Sequence, residues 1–110
     1  MIALSVWQPH ASLIATGKKN VEYRSWPTHH RGDLLITAAA RVPRLRRHRH
    51  LPRGCALCLV KLIDCVEVEP GLFAWLLADP RPVPSLPVRG QQRLWHVEVE
   101  TRTERERLKE

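Results

Sequence analysis

The sequence predicts a mainly β domain with short helices, arranged as a small barrel, and three observations carry that prediction. Apolar residues come in short alternating or continuous runs separated by Pro, Gly and charge, which is the pattern of strands. Only one stretch, around residues 9–16, has the markings of a helix. With 110 residues the chain can bury one modest core, and closing the sheet leaves few open edges.

The elements follow in order. Residues 3–7 fit a first strand. Pro9 suits the first turn of a helix, where a missing N–H is tolerated. Leu13 and Ile14 can face the core, and Gly17 can end the helix in a left-handed conformation. Lys18 and Lys19 then meet the negative end of the helix dipole. Residues 21–24 alternate as a strand, with Asn20, Glu22 and Arg24 on one face and Val21 and Tyr23 on the other. Pro27 and Gly32 bracket a loop holding His29, His30 and Arg31.

Residues 34–39 are continuously apolar, the signature of a buried strand. Residues 41–53 contain two prolines, six arginines and two histidines and read as a basic loop. Residues 55–69 give the longest strand signal. Ala56, Cys58, Val60, Leu62, Val66 and Val68 share one face, with Asp64 as the exception, and Lys61 and Glu67 lie on the other. Residues 71–77 are short and apolar, either strand or irregular. Pro80, Pro82, Pro84 and Pro87 make an extended connector. Residues 94–101 alternate with Trp95, Val97 and Val99 inward. The domain is expected over 1–101, with 102–110 a charged tail prone to fray.

The net charge is +7, and its distribution matters more than its size. No acidic residue lies between Asp33 and Asp64, whereas Arg41, Arg44, Arg46, Arg47, Arg49, Arg53 and Lys61 all fall there. Such a basic island favours polyanions, nucleic acid first; the alternative is a solvated loop that aids solubility. No apolar run approaches the ~20 residues of a membrane span. The first residues lack the basic region of a signal peptide. Cys55, Cys58 and Cys65 cannot all pair. The Cys55–Cys58 spacing on a strand sends the two thiols to opposite faces. Buried free thiols in a reducing cytoplasm are therefore expected.

The densest chemistry lies in residues 17–24, Gly-Lys-Lys-Asn-Val-Glu-Tyr-Arg. Arg24 can hold a phosphate or carboxylate through two parallel hydrogen bonds. A partly desolvated lysine gains access to its nucleophilic form, so Lys19 could serve as base or nucleophile. Glu22 could orient either cation or accept from the exocyclic amine of a base. The alternative is a Glu22–Arg24 salt bridge that only braces the barrel mouth. Gln8 could read a nucleobase, and Trp7 or Trp26 could offer a stacking face. Trp7, Trp75 and Trp95 fit the core better. Trp26, in a loop beside Pro27, is the tryptophan expected to be exposed. No metal is expected: His29 and His30 splay apart, and His48 and His50 have no carboxylate spaced to complete a site. No cofactor motif is present.

Taken in order, Ser5-Val6-Trp7-Gln8-Pro9, Gly17-x-Lys19-x-x-Glu22-x-Arg24, Trp26 and Arg31-Gly32-x-Leu34-Leu35-Ile36 resemble the ASCH domain of the PUA-like superfamily. Ala74-Trp75-Leu76-Leu77-x-Asp79-Pro80-Arg81-Pro82 and Val88-x-Gly90 are similar to ASCH proteins of a compact microbial or phage type. The resemblance implies a five- or six-stranded barrel flanked by short helices, with a cleft lined by the signature residues. It also implies RNA binding or RNA-linked regulation. Some bacterial members are amidohydrolases of acetylated cytidine, and others are linked to ribonuclease activity. The amidohydrolase branch has threonine at the position of Glu22, and a carboxylate cannot replace a hydroxyl nucleophile. The shorter link between residues 39 and 55 is also unusually rich in arginine.

Three functional expectations follow. The first is a small cytoplasmic domain that binds RNA, other single-stranded nucleic acid or a nucleotide. Gln8, Lys19, Glu22, Arg24 and Trp26 line its cleft, and Lys18, Arg44, Arg46, Arg47 and Arg49 contact phosphate. The second is a nuclease or nucleoside hydrolase that uses Lys19 with Glu22. The third is a protein-interaction module.

Overall fold

A computed structural model describes residues 1–89 and 94–96, with only the backbone of 95 and 96. The mainly β, barrel-like class is the one observed. Six strands among the described residues form one curled sheet in the order β2-β5-β4-β3-β1-β6, a half-barrel. They are β1 (Ile2–Val6), β2 (Val21–Arg24), β3 (Gly32–Ala38), β4 (Cys55–Glu69), β5 (Leu72–Pro82) and β6 (Leu94–His96). One helix, α1 (His10–Ala15), crosses the concave side, and a single 3-10 turn (Arg46–His48) lies in the basic loop. No helix among the described residues is long and apolar enough to cross a membrane.

β1 runs parallel to β3, and every other pairing is antiparallel. The parallel pair needs a crossover, which α1 and β2 supply. Gly17 ends α1 at φ 77°, where its amide donates to the Ile14 carbonyl. A side chain in that conformation would be strained. The chain then turns back into β2.

The core fills the concave side. Leu4, Val6, Leu34, Ile36, Cys58, Val60, Leu62, Trp75 and Leu77 pack with Ala11 and Ile14 of α1. A smaller cluster, Ala3, Leu35 and Ala56, sits on the opposite face under Met1, Leu59, Val83 and Val88. The expected common face of β4 is therefore broken. Ile36 pairs with Cys58 but Thr37 pairs with Ala56, so Leu57 is an extra residue. That bulge sends Ala56 and Cys58 into different clusters, because one inserted residue inverts the alternation. A second bulge lies between Leu62 and Asp64. It turns Cys65 toward the core and leaves Val66 and Val68 exposed rather than inward.

Strand β5 extends into the proline segment instead of stopping at residue 77. The step from Ala78 to Arg81 in β5 is one residue longer than the opposing step from Lys61 to Leu59 in β4. Asp79 adopts φ 53° there, and the bulge accommodates Pro80, which has no N–H to offer the ladder. Cys55 and Cys58 are buried free thiols, while Cys65 is half-buried. Burial pushes the Cys58 thiol up to about 11, because a thiolate there would be desolvated. The expected alternation of 97–101 and the tail at 102–110 lie outside the described residues.

Candidate functional site

Strand β2 has its polarity reversed. Glu22 is only 7% exposed, whereas Tyr23 is 55% exposed. Glu22 pairs across the ladder with Trp75, and Arg24 with Phe73, so both charges point to the core-facing side. Buried charges require partners, and the neighbouring elements supply them. Glu22 Oε1 accepts from Lys19 Nζ at 3.0 Å, and Glu22 Oε2 accepts from Arg24 Nη2 at 3.3 Å. Arg24 Nη2 also donates to the Ser5 carbonyl of β1 at 2.8 Å. Lys19 is held from below, its amide donating to the Leu13 carbonyl at the end of α1.

These groups open onto a cleft of about 540 Å³ lined by Val6, Trp7, His10, Lys19, Glu22, Tyr23, Arg24, Ser25 and Trp26. That volume lies within the roughly 300–1,000 Å³ typical of small-ligand sites. Two cations and one carboxylate leave the triad with a net positive charge, which suits an anionic ligand.

His10 is a cleft residue that sequence reasoning missed. Its Nδ1 lies 3.0 Å from Lys19 Nζ. A lysine ammonium only donates, so in this contact Nδ1 serves as the acceptor. The local pattern gave no sign of this, since a first-turn histidine after proline reads as solvent-facing. Only the chain reversal at Gly17 brings residues 10 and 19 together.

Gln8, expected in this cleft, is not among its lining residues. Its Nε2 donates to Ser12 Oγ and to the Pro52 carbonyl, both at 2.8 Å, and its Oε1 accepts from the Ser12 amide at 3.0 Å. Both ends of the amide are engaged in satisfying the start of α1 and clasping the basic loop to it. Gln8→Ala is expected to destabilise the domain by about 1–2 kcal/mol, since a buried cap and a loop tether are lost together. Urea unfolding monitored by circular dichroism measures it.

The tryptophans exchange their expected roles. Trp26 is half-buried and sits edge-on to Trp75, with centroids 4.8 Å apart at 83°. Its carbonyl accepts the Trp75 indole N–H at 3.2 Å. Trp26 is thus a wall of the cleft, not an exposed flap. Trp7, expected in the core, is 57% exposed, and the Arg41 guanidinium covers its ring at 3.9 Å.

Lys18, Arg44, Arg46 and Arg47 are exposed. Arg49 is also exposed, but its guanidinium donates to the Pro43 and Arg44 carbonyls and so braces the loop. A second cleft of about 420 Å³ lies against this loop, lined by Trp7, Gln8, Pro9, His10, Arg41, Pro43, Arg44, Leu45 and His48. Among the described residues, no three His, Cys, Asp or Glu side chains gather as a metal site would require.

Comparison with known proteins agrees with this architecture. The family model of the ASCH domain matches residues 4–79. Activating signal cointegrator 1 of Homo sapiens is 35% identical over 86% of this chain, and that of Mus musculus is 33% identical over the same share. The aligned region spans only 22% of the length of those relatives. In structure, the ASCH protein from Zymomonas mobilis superposes with a TM-score of 0.67 at 18% identity, covering 97% of this chain and 92% of that one. A tyrosine-to-phenylalanine mutant of that protein gives the same score. At that identity the likeness shows the fold. The signature residues, the half-barrel and the family match lead to one assignment: the chain belongs to the ASCH domain family.

Proposed function

We propose that this ASCH domain binds RNA or a nucleotide in the Lys19–Glu22–Arg24 cleft, with the arginine-rich loop holding the phosphate backbone. The observation that carries this reading is the reversed polarity of β2. Packing alone would turn Val21 and Tyr23 inward and the charges outward, because burying charge is costly. Sites that break a local rule in this way are commonly functional ones. The cleft's positive balance and the acid-free stretch from Leu34 to Ile63 match a polyanion, and the family is associated with RNA binding.

Filter binding of a single-stranded RNA at two salt concentrations tests this. Affinity should fall steeply with salt, since each phosphate neutralised releases counterions. Replacing Arg44, Arg46 and Arg47 together by alanine is expected to lower the slope of log K against log salt by about 2, at ~0.7 per contact on a single strand. An unchanged slope would remove the loop from the interface. No binding at low salt would remove the proposal.

A second reading makes the cleft that of a hydrolase acting on RNA or modified nucleosides. It is favoured by Lys19, Glu22 and His10 lying in one hydrogen-bonded chain, an arrangement able to move a proton. Both Glu22 oxygens are already engaged by cations, which fits a binding role better than a base. Turnover of RNA or an acetylated nucleoside that disappears in Lys19→Ala would establish the enzyme.

A further inference from the structure

The cleft beside the basic loop and the charged cleft meet at Trp7 and His10. β1 and β3 run parallel in register, with Val6 opposite Ala38, and the Ala39 amide donates to the Val6 carbonyl. The two chains therefore leave the sheet side by side. The next residue of one is Trp7, and two residues past Ala39 on the other is Arg41. This pairing places the Arg41 guanidinium over the Trp7 indole, 3.9 Å from the ring centroid, on a side chain that is 57% exposed. Trp7 lines both clefts, as does His10.

We infer that Trp7 is a stacking platform for a nucleobase, that Arg41 occupies the place of that base in the free protein, and that the ligand is a single strand of at least two nucleotides. The inference rests on the nucleic-acid reading above and narrows it from a nucleotide to a strand. An aromatic face accepts any base, because every base has a π-face. A guanidinium is also planar and stacks on the same surface, so Arg41 covers the indole until a base replaces it. Arg41 then becomes available, together with Arg44, to the phosphate joining that base to the next. One nucleotide sits against Lys19 and Arg24, and its neighbour stacks on Trp7 at the border of the second cleft. A free mononucleotide brings a single base, so it cannot fill the cleft at Lys19 and Arg24 and also supply a second base to Trp7.

A binding series of uridine monophosphate, the uridine dinucleotide, and hexamers of uridine and deoxythymidine tests the inference at low salt. The wild-type protein should gain about tenfold in affinity from mononucleotide to dinucleotide, the scale of one base–aromatic stack. In Trp7→Ala that step should shrink below about threefold, and Trp7→Phe, which keeps an aromatic face, should restore most of it. Because residue 7 is exposed, both variants should keep the wild-type circular dichroism spectrum. Comparable affinity for the two hexamers assigns the platform to both sugars; a large gap assigns it to one. Mononucleotide binding without the dinucleotide step, or a step that survives Trp7→Ala, overturns the inference and leaves the proposed function standing. Absence of binding to every member of the series overturns both.

Discussion

Glu22→Gln is expected to weaken the fold by about 2 kcal/mol while tightening the hold on nucleic acid. The carboxylate is nearly buried and bridges Lys19 and Arg24. An amide keeps one acceptor oxygen but turns an N–H₂ toward the second cation, leaving a partly buried charge without its partner. The full penalty of a buried broken pair, about 3–5 kcal/mol, is reduced because Lys19 and Arg24 retain some solvent access. The same change removes one negative charge from a cleft that already favours anions. Affinity for a short RNA should therefore rise several-fold, with a steeper salt dependence. Denaturation midpoints and filter binding on one preparation read both effects. A loss of binding would mean that Glu22 touches the ligand itself, by accepting from a base amine.

Trp75→Ala should be the most damaging single change, at about 3–5 kcal/mol. Trp75 has no exposed surface. It fills the floor of the half-barrel beneath β2, meets Trp26 edge-on, and donates its indole N–H to the Trp26 carbonyl. Alanine leaves a large cavity and removes this hydrogen bond together. Against a total stability of roughly 5–15 kcal/mol, the thermal midpoint should drop by about 12–40 °C, at ~4–8 °C per kcal/mol. Trp75→Phe retains most of the volume and should cost about 1–2 kcal/mol, chiefly from the lost hydrogen bond. An alanine variant melting within a few degrees of wild type would show that the tryptophan does not close the core.

The two variants also mark what could be read from the sequence. The bounds of β2 and β4 and the helix stop at Gly17 followed from alternation and glycine placement, because these are local properties. The meeting of Lys19, Glu22 and Arg24 was legible for the same reason: alternation puts 22 and 24 on one face, and the helix stop delivers 19 beside them. What failed was decided at a distance. The bulges in β4 answer to the partner strands, so the outward turn of Val66 and Val68 could not be seen in the strand's own pattern. Gln8 looked like a free amide because its partner, the Pro52 carbonyl, lies 44 positions away. Trp7 looked like core because its hydrophobicity does; its position just past the end of β1 puts it outside. The partner of His10, Lys19, reaches it only once the chain has reversed at Gly17.

The reversed strand has a further consequence. Among the described residues β2 is the last strand of its side of the sheet, and such an edge is a template on which another chain can add and start to aggregate. A strand joining β2 would have to lay its own inward residues beside the charged pair Glu22 and Arg24. Shifting the incoming strand by one residue would change which of its own side chains face inward but would leave Glu22 and Arg24 where the pairing with β5 holds them. Inward-pointing charge is one of the ways natural proteins guard an open edge. The residues that make this cleft attractive to a polyanion thus also make its rim a poor place for a second copy to grow.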